Sequence, residues 1–516
     1  MSDSRVIFEI HPQSVIMKNA SAHVEEEIDD FLSYTNPNAR HIRQYKLQQA
    51  EASKSEQDRD YWTKWDGKIH LYKYQTFDIG FLWRVTQMLQ VMKVKYTYED
   101  MRQVPHPVDR SKVPKFEGEL HPYQHEILID MIQHPHGIVD VATGGGKTVM
   151  ALSLIAKRPV RTFVIVPTVA LVDEWILKAK QFLKFPNGHN YFGYASGRRV
   201  DLGLFNVANI QTLYNALFKR ATQTNTVQRY YKIIEAYKAA DMIIVDECHH
   251  ASTATYRKSI MASNAYYRYG ITATTDKRHD SADMEYYGLL GERLSRISAS
   301  DLIEDGFISP ARVIFQRWGY MPFYGSVKFQ GVGGVEDQAL VYNHQRNTQI
   351  CNDIVEAISH KRRVMVMVRR LDHGKLLLQI LESKLKEHIR IEWIYGDHPE
   401  KAQIIRDFRD KKIHILITQN QLLSEGVDIP DVSAVVMAAG GKSAIKTIQS
   451  IGRGIRKAEG KTDLVVYDYA DEGRYIQEHA LQRLNTYAAE SAFQIEAEGT
   501  NLENYIQHLR DIGHGI

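Results

Sequence analysis

The feature that most constrains this chain is an alternation of two kinds of segment. Short apolar, β-branched runs (HGIVDVA, TFVIVPT, FNVANI, MIIVDE) are separated by stretches with helical periodicity, such as KTVMALSLIAK and ALVDEWILKAKQFL. Continuously apolar runs of strand length suit a sheet buried on both faces, and strands alternating with helices imply parallel βαβ units. The alternation breaks near residues 310–345, where GSVKFQGVGGVED is glycine-rich and reads as a flexible loop in preference to a strand-separating hairpin. It resumes with RRVMVMV, RIEWIYG, KIHILIT, VSAVVMA and TDLVVYDYA. The expected fold class is α/β, with two similar parallel-sheet lobes and a small N-terminal α+β domain. A linker with three prolines, VPHPVDRSKVPKF, marks the first boundary. The expected domains are 1–108 (accessory), 109–308 (first lobe), 309–490 (second lobe) and 491–516 (a helical tail).

The totals narrow the setting. The chain has 516 residues, 44% hydrophobic and 25% charged, with a net charge of +3. Contact with nucleic acid would therefore rest on local basic patches and not on a global field. Two cysteines, Cys248 and Cys351, exclude a disulfide framework and suit a reducing, cytoplasmic compartment. The first residues lack the pattern of a signal peptide, and no apolar run reaches the roughly eighteen residues of a membrane span.

ATGGGKT (142–148) lies between an apolar run and a helical run. Glycines let backbone N–H groups approach phosphate oxygens, and the following helix N-terminus adds partial positive charge. Thr143, Gly144, Gly145 and Gly146 would form the cradle. Lys147 would pair with β and γ phosphates, and Thr148 would place its hydroxyl on Mg²⁺. Val141 stands where the full motif has glycine. IIVDECHHAS (243–252) then offers two chemistries. A metal cluster needs spaced soft ligands, whereas here one cysteine adjoins two consecutive histidines. An acid pair at the C-terminal end of a parallel strand suits nucleotide hydrolysis better. Asp246 would hold Mg²⁺, Glu247 would activate water, and His249 would couple the pair to the second lobe by hydrogen bonding.

With these two motifs in hand, the chain resembles the superfamily 2 helicases, and other motifs follow in that family's order. LHPYQ resembles the adenine-reading motif, with Gln124 as base contact. VPTVALVDEW, NIQTL and GITATTDKR resemble motifs Ia, Ib and III, the last carrying Thr272 and Thr274 as coupling residues. LLSEGVDIP resembles motif V, with Gly426 and Asp428 near the nucleotide. QSIGRGIRK resembles motif VI, with Gln449, Arg453 and Arg456. The two arginines, three apart, share a helix face and would neutralise transition-state charge. Within the superfamily the match is finer to UvsW-like phage recombination helicases and more distant to XPB-like ones. YWTKWDGKIHLYKYQTFDIGFLWRV (61–85) extends it towards the N-terminus, with Trp65-Asp66-Gly67-Lys68 as a hairpin turn. Arg278-His279-Asp280 stands where XPB-like enzymes carry Arg-Glu-Asp.

The resemblance implies two RecA-like lobes and ATP-driven translocation with Mg²⁺. The implied partner is DNA: single strands, forks and four-way junctions, unwound or branch-migrated in recombination and repair. Phage or host recombination proteins are the further expected partners, the host cytoplasm the expected place, and a monomer the expected state. Expected DNA contacts are Thr168, Gln211 and Thr212 in the first lobe. Arg369, Arg370 and Thr418 are expected in the second, and Lys68 and Arg84 in the N-terminal domain. An RNA helicase, a duplex-stimulated ATPase and an annealing module remain as alternatives, while a nuclease subunit is disfavoured because no separate carboxylate-rich domain is visible in the sequence.

Overall fold

The computed structural model describes residues 5–36, 38–53, 55–221, 223–273, 283–318, 337–396, 398–419, 432–441, 461–471 and 476–497. Thr274, residues 278–280, Gly426, Asp428, Gln449, Arg453 and Arg456 lie outside the described residues, as does residues 325–337 except Asp337. The chain divides into two compact units, residues 1–141 with 146–296, and residues 142–145 with 297–516.

The first unit opens with a small sheet in the order Thr76–Asp78, Ser14–Lys18, Val6–Ile10, Tyr96–Asp100. Strict alternation in VIFEI buries Val6, Phe8 and Ile10. Helices Ala22–Phe31 and Leu82–Val91 cover that face with Val24, Ile28, Val85 and Leu89. Two mostly exposed helices follow the sequence's polar stretch, Ala39–Ala52 and Glu56–Lys64. Trp65-Asp66-Gly67-Lys68 does form a turn, but not the expected hairpin. It joins the helix Glu56–Lys64 to the strand Lys68–His70, which pairs with the distant Ser33–Thr35. Gly67 turns the chain there with φ +86.

The N-terminal sheet packs onto the lobe that follows. Gly80 sits so close to the helix Asp283–Leu290 that a Cβ would lie 2.0 Å from the carbonyl of Tyr287. Asp78 accepts from Arg257 at 2.9 Å. These contacts make residues 6–100 part of the first unit's body.

That lobe carries an eight-stranded sheet, ordered Arg199–Asp201, Phe192–Ser196, Phe205–Asn209, Thr162–Val166, Met242–Asp246, Tyr267–Thr272, His136–Val141, Arg293–Ile297. From Phe192–Ser196 to His136–Val141 every neighbouring pair is parallel. Their C-terminal ends therefore meet along one edge, the usual place for a site in such sheets. The second unit holds a seven-stranded parallel sheet, ordered Ile391–Ile394, Ile415–Gln419, Val364–Val368, Ala434–Val436, Leu464–Asp471, Ala311–Trp318, Gln494–Ala497. Its central strands are buried along their length, which explains why VMVMV reads as one apolar run. No helix among the described residues is long and apolar enough to cross a membrane.

Candidate nucleotide-hydrolysis site

The strand His136–Val141 feeds a loop that ends at Gly146, and the helix Lys147–Lys157 begins at once. Gly144 and Gly146 have φ +95 and +79, backbone that side chains rarely adopt. Gly146 has a second constraint. A Cβ there would lie 2.4 Å from Nε2 of the buried Gln124. Gln124 thus stands against the phosphate loop. Its Oε1 accepts from the backbone N–H of His121 at 2.9 Å, closing a capping box on the helix Pro122–Gln133. That capping role is not expected from the sequence. Lys147 opens the helix, its Nζ donating to the Val141 carbonyl at 3.4 Å, and Thr148 lies in the same first turn.

The acid pair lies at the C-terminal end of Met242–Asp246, separated from His136–Val141 by the strand Tyr267–Thr272. Asp246 is buried. Its Oδ2 accepts the indole N–H of Trp175 at 2.9 Å, and its Oδ1 accepts the N–H of Glu247 at 3.0 Å. Burial, then the neighbouring Glu247 charge, pushes the Asp246 carboxyl up, against the opposing pull of Trp175 and Lys147. Glu247 has φ +49, a left-handed non-glycine residue at the turn after the strand. Burial would raise its carboxyl too, but Lys147 and His249 outweigh it and hold Glu247 below the usual range. The surroundings thus push the two carboxyls in opposite directions, Asp246 up and Glu247 down.

His249 lies between two oxygens. Its Nδ1 is 3.0 Å from Oγ1 of Thr272 and 3.4 Å from Oε2 of Glu247. The shorter contact has hydrogen-bond length, and Oε2 of Glu247 is buried without a hydrogen bond, the His249 ring standing 3.4 Å away. An ionised carboxylate oxygen held this way can accept a proton from a water placed against it. One hydrogen bond of His249 runs to Thr272 of its own lobe, at the end of the strand Tyr267–Thr272. Cys248 turns the other way. Its Sγ packs into the core, 2.8 Å from where a Cβ on Gly270 would stand. Burial pushes its thiol well up, so it packs as a small apolar side chain.

This donor set fits ATP and magnesium. It offers a glycine cradle in which Gly146 holds a left-handed φ of +79, a lysine and a hydroxyl on the first helical turn, and two carboxyls at the end of the strand Met242–Asp246. Trp175 belongs to the site and escapes sequence reasoning. It sits in a helical run where a tryptophan reads as core, and its indole N–H holds Asp246 in place.

Three expected DNA contacts are corrected. Arg84 gives a bidentate ion pair to Glu292, at 2.7 and 2.8 Å, and stacks on Phe81 and Tyr287. Its charge clamps the N-terminal sheet to the lobe. Thr212 is buried, and its hydroxyl accepts the N–H of Gly197 at 2.8 Å. Thr418 is 0% exposed inside the second sheet, where no phosphate can reach it. The other candidates are placed differently. Gln211 and Arg369 are exposed, and Thr168 caps the helix Val169–Phe182. Arg370 pairs with Asp337 at the surface, and Lys68 pairs with Asp30.

Comparison with known proteins agrees with this geometry. The model of the res subunit of type III restriction enzymes matches residues 117–277, and that of the helicase conserved C-terminal domain matches residues 346–458. The chain is 23% identical over 467 residues to the ATP-dependent DNA helicase UvsW of Enterobacteria phage T4, covering 83% of this chain and 89% of that protein. It is 22% identical over 398 residues to the DNA 3'-5' translocase XPB2 of Sulfurisphaera tokodaii, covering 70% and 83%. The structure of S. cerevisiae Dbp5 bound to RNA and ADP BeF3 shares the fold, with a TM-score of 0.51 at 12% identity over 76% of this chain and 94% of that one. The two matched domains, the two parallel-sheet lobes and the phosphate-loop site place the chain in a single family: it belongs to the superfamily 2 helicases, ATP-hydrolysing enzymes built on two RecA-like lobes.

Proposed function

We propose that this helicase works on DNA, and that its substrates are branched: forks and four-way junctions that it unwinds or branch-migrates in recombination and repair. The observation that carries the reading is the extent of the likeness to UvsW, which covers 83% of this chain. The host-cell cytoplasm is the proposed place, single strands and recombination proteins are further partners, and the enzyme acts as a monomer.

ATP and Mg²⁺ supply a polarised γ-phosphoryl group when bound. Lys147 lies at the helix start, where a phosphate charge is favoured, and Thr148 with Asp246 would hold the metal. Oε2 of Glu247 takes the proton of the attacking water, and His249 fixes that carboxylate while bonded to Thr272. Gln124 faces the nucleotide from beside the loop. Gly426, Asp428, Gln449, Arg453 and Arg456 are the proposed contribution of the second lobe, with Thr274 coupling hydrolysis to movement. Thr168, Gln211, Arg369 and Arg370 are the proposed phosphate contacts, being at element ends and not inside the sheets.

ATP hydrolysis measured on single-stranded, blunt duplex, forked and four-way-junction DNA, and on single-stranded RNA, tests the reading. Strongest stimulation by the branched forms is expected, with strand release abolished in Lys147→Ala. Stimulation mainly by RNA, or equal stimulation by plain duplex, would overturn it.

A further inference from the structure

The helix Val169–Phe182 touches two places that the hydrolysis site and the DNA contacts treat separately. At its start, Thr168 accepts the N–H of Leu171 at 3.3 Å and keeps its own hydroxyl proton for another acceptor. The first turn faces solvent, with Val169 48% exposed. Val172, Trp175 and Ala179 form the helix's buried stripe. Thr168 continues that stripe one turn before Val172, so Thr168 and Trp175 share a side, about 10 Å apart along the axis. Trp175 is 1% exposed, and its indole N–H donates to Oδ2 of Asp246 at 2.9 Å. Val172 and Ala179 meet the core through apolar atoms alone. Trp175 adds a directed bond to the carboxyl that would hold Mg²⁺, which packing does not require.

A buried amide ties the start of this helix to the other first-lobe loop proposed to meet DNA. Asn209 Nδ2 donates to the Pro167 carbonyl at 2.9 Å, and its Oδ1 accepts the N–H of Thr212 at 3.2 Å. Asn209 thereby caps the helix Ile210–Phe218, whose first turn carries the exposed Gln211. The strand that feeds Pro167, Thr162–Val166, pairs with Met242–Asp246. Hydrogen bonds therefore run without a break from Gln211 and Thr168, through one rigid helix, to Asp246.

We propose that Trp175 is a positioning residue that couples DNA contact to hydrolysis. DNA held at Thr168 and Gln211 steadies the helix Val169–Phe182, and the indole N–H carries that order to Asp246. The proposal rests on the DNA reading above. It assigns the coupling to a bond inside the first lobe, with an energy shared by the two sites.

Two measurements on the full-length protein test it. The first is the ratio of ATP hydrolysis at saturating single-stranded DNA to hydrolysis without DNA. The second, made without turnover, is the Mg²⁺ concentration needed for half-maximal binding of the non-hydrolysable analogue AMP-PNP in the presence of DNA. Trp175→Phe keeps an aromatic ring and removes the N–H. It should lower the ratio about tenfold and raise the Mg²⁺ requirement several-fold, the scale of a lost hydrogen bond to a charged group. A variant that is merely less stable loses folded enzyme, which lowers both rates alike and leaves the ratio as it was. Should Trp175→Phe not fold, the 3-benzothienyl analogue of tryptophan at this position replaces N–H by sulfur with the packing kept, and the same two changes are expected. Adding Thr168→Ala to Trp175→Phe should lower the ratio no further, because both act through one helix. An unchanged ratio or an unchanged Mg²⁺ requirement overturns the proposal. A wild-type enzyme that no DNA stimulates overturns the DNA reading and the proposal with it, whereas a stimulated wild type with the same ratio in Trp175→Phe overturns the proposal alone.

Discussion

Two strands of this molecule look alike in sequence and end in opposite chemistry. Met242–Asp246 and Leu464–Asp471 are both apolar, both central to a parallel sheet, and both closed by acids. In the second, Asp468 accepts from Arg483 at 2.8 and 2.9 Å and from the Tyr487 hydroxyl at 2.6 Å. Asp471 takes a bidentate pair from Arg346 at 2.7 and 3.0 Å. Both arginines are buried, and they also donate to the carbonyls of Gly441 and Ala438 at 2.6 and 3.1 Å. At the end of the first strand, Asp246 has an indole and an amide as its partners, and Glu247 keeps a buried oxygen with no hydrogen bond, 3.4 Å from the His249 ring. An acid at a strand end is a structural anchor where a buried arginine has been built to neutralise it. It is free for chemistry where none has.

Substitutions on the two sides should separate along that line. Arg483→Met leaves Asp468 buried and uncompensated, so the second lobe should lose about 3–5 kcal/mol. Urea unfolding measures this, and a loss under about 1 kcal/mol would mean that the pair is not an anchor. Lys147→Ala should instead lower hydrolysis roughly 10²–10³-fold, the scale of removing a preorganised electrostatic partner, with little change in the unfolding midpoint. Gly146→Ala forces a Cβ into a left-handed position and against Gln124. It should raise the KM for ATP about tenfold or more, since small misplacements near a reacting group are costly.

A further expected effect concerns pH. His373, beside Arg346, is pushed down to about 3, by burial first and by the arginine charge second. It is neutral in the fold, whereas in the unfolded chain it takes up a proton below about pH 6.5. Its contribution to stability is therefore complete above that pH and is lost as pH falls from there toward 3, by roughly 1.4 kcal/mol per unit at most. His373→Asn should flatten the acid side of the stability curve. An unchanged slope between pH 7 and 5 would show that His373 does not set it.

The fold class and the hydrolysis site were legible because local pattern and chemistry coincide there. The strand His136–Val141, the glycine loop and the helix Lys147–Lys157 follow directly from apolar period and turn residues. The acids of IIVDE end a strand for the same reason. What sequence could not supply was pairing across distance. Arg84 reads as a free cation among aromatics, and only its partner 208 residues away makes it a clamp. Thr212 and Thr418 read as polar strand-end residues, yet neighbouring chain covers both. Trp175 reads as core, and its hydrogen bond to Asp246 depends on a partner 71 positions away folding back. The Asp66-Gly67 turn was visible, but the elements it joins were not, because Lys68–His70 finds its partner at Ser33–Thr35.

Glu247, with a buried carboxylate oxygen that makes no hydrogen bond, is the group proposed to activate water. Glu247→Gln keeps the shape and removes the charge, so single-turnover ATP hydrolysis by this variant, with nucleotide binding followed in parallel, is the most direct measurement. The account predicts nucleotide binding close to wild type and hydrolysis slowed at least about a hundredfold, the range of general-base catalysis. Hydrolysis within a few-fold of wild type, with binding intact, would contradict it.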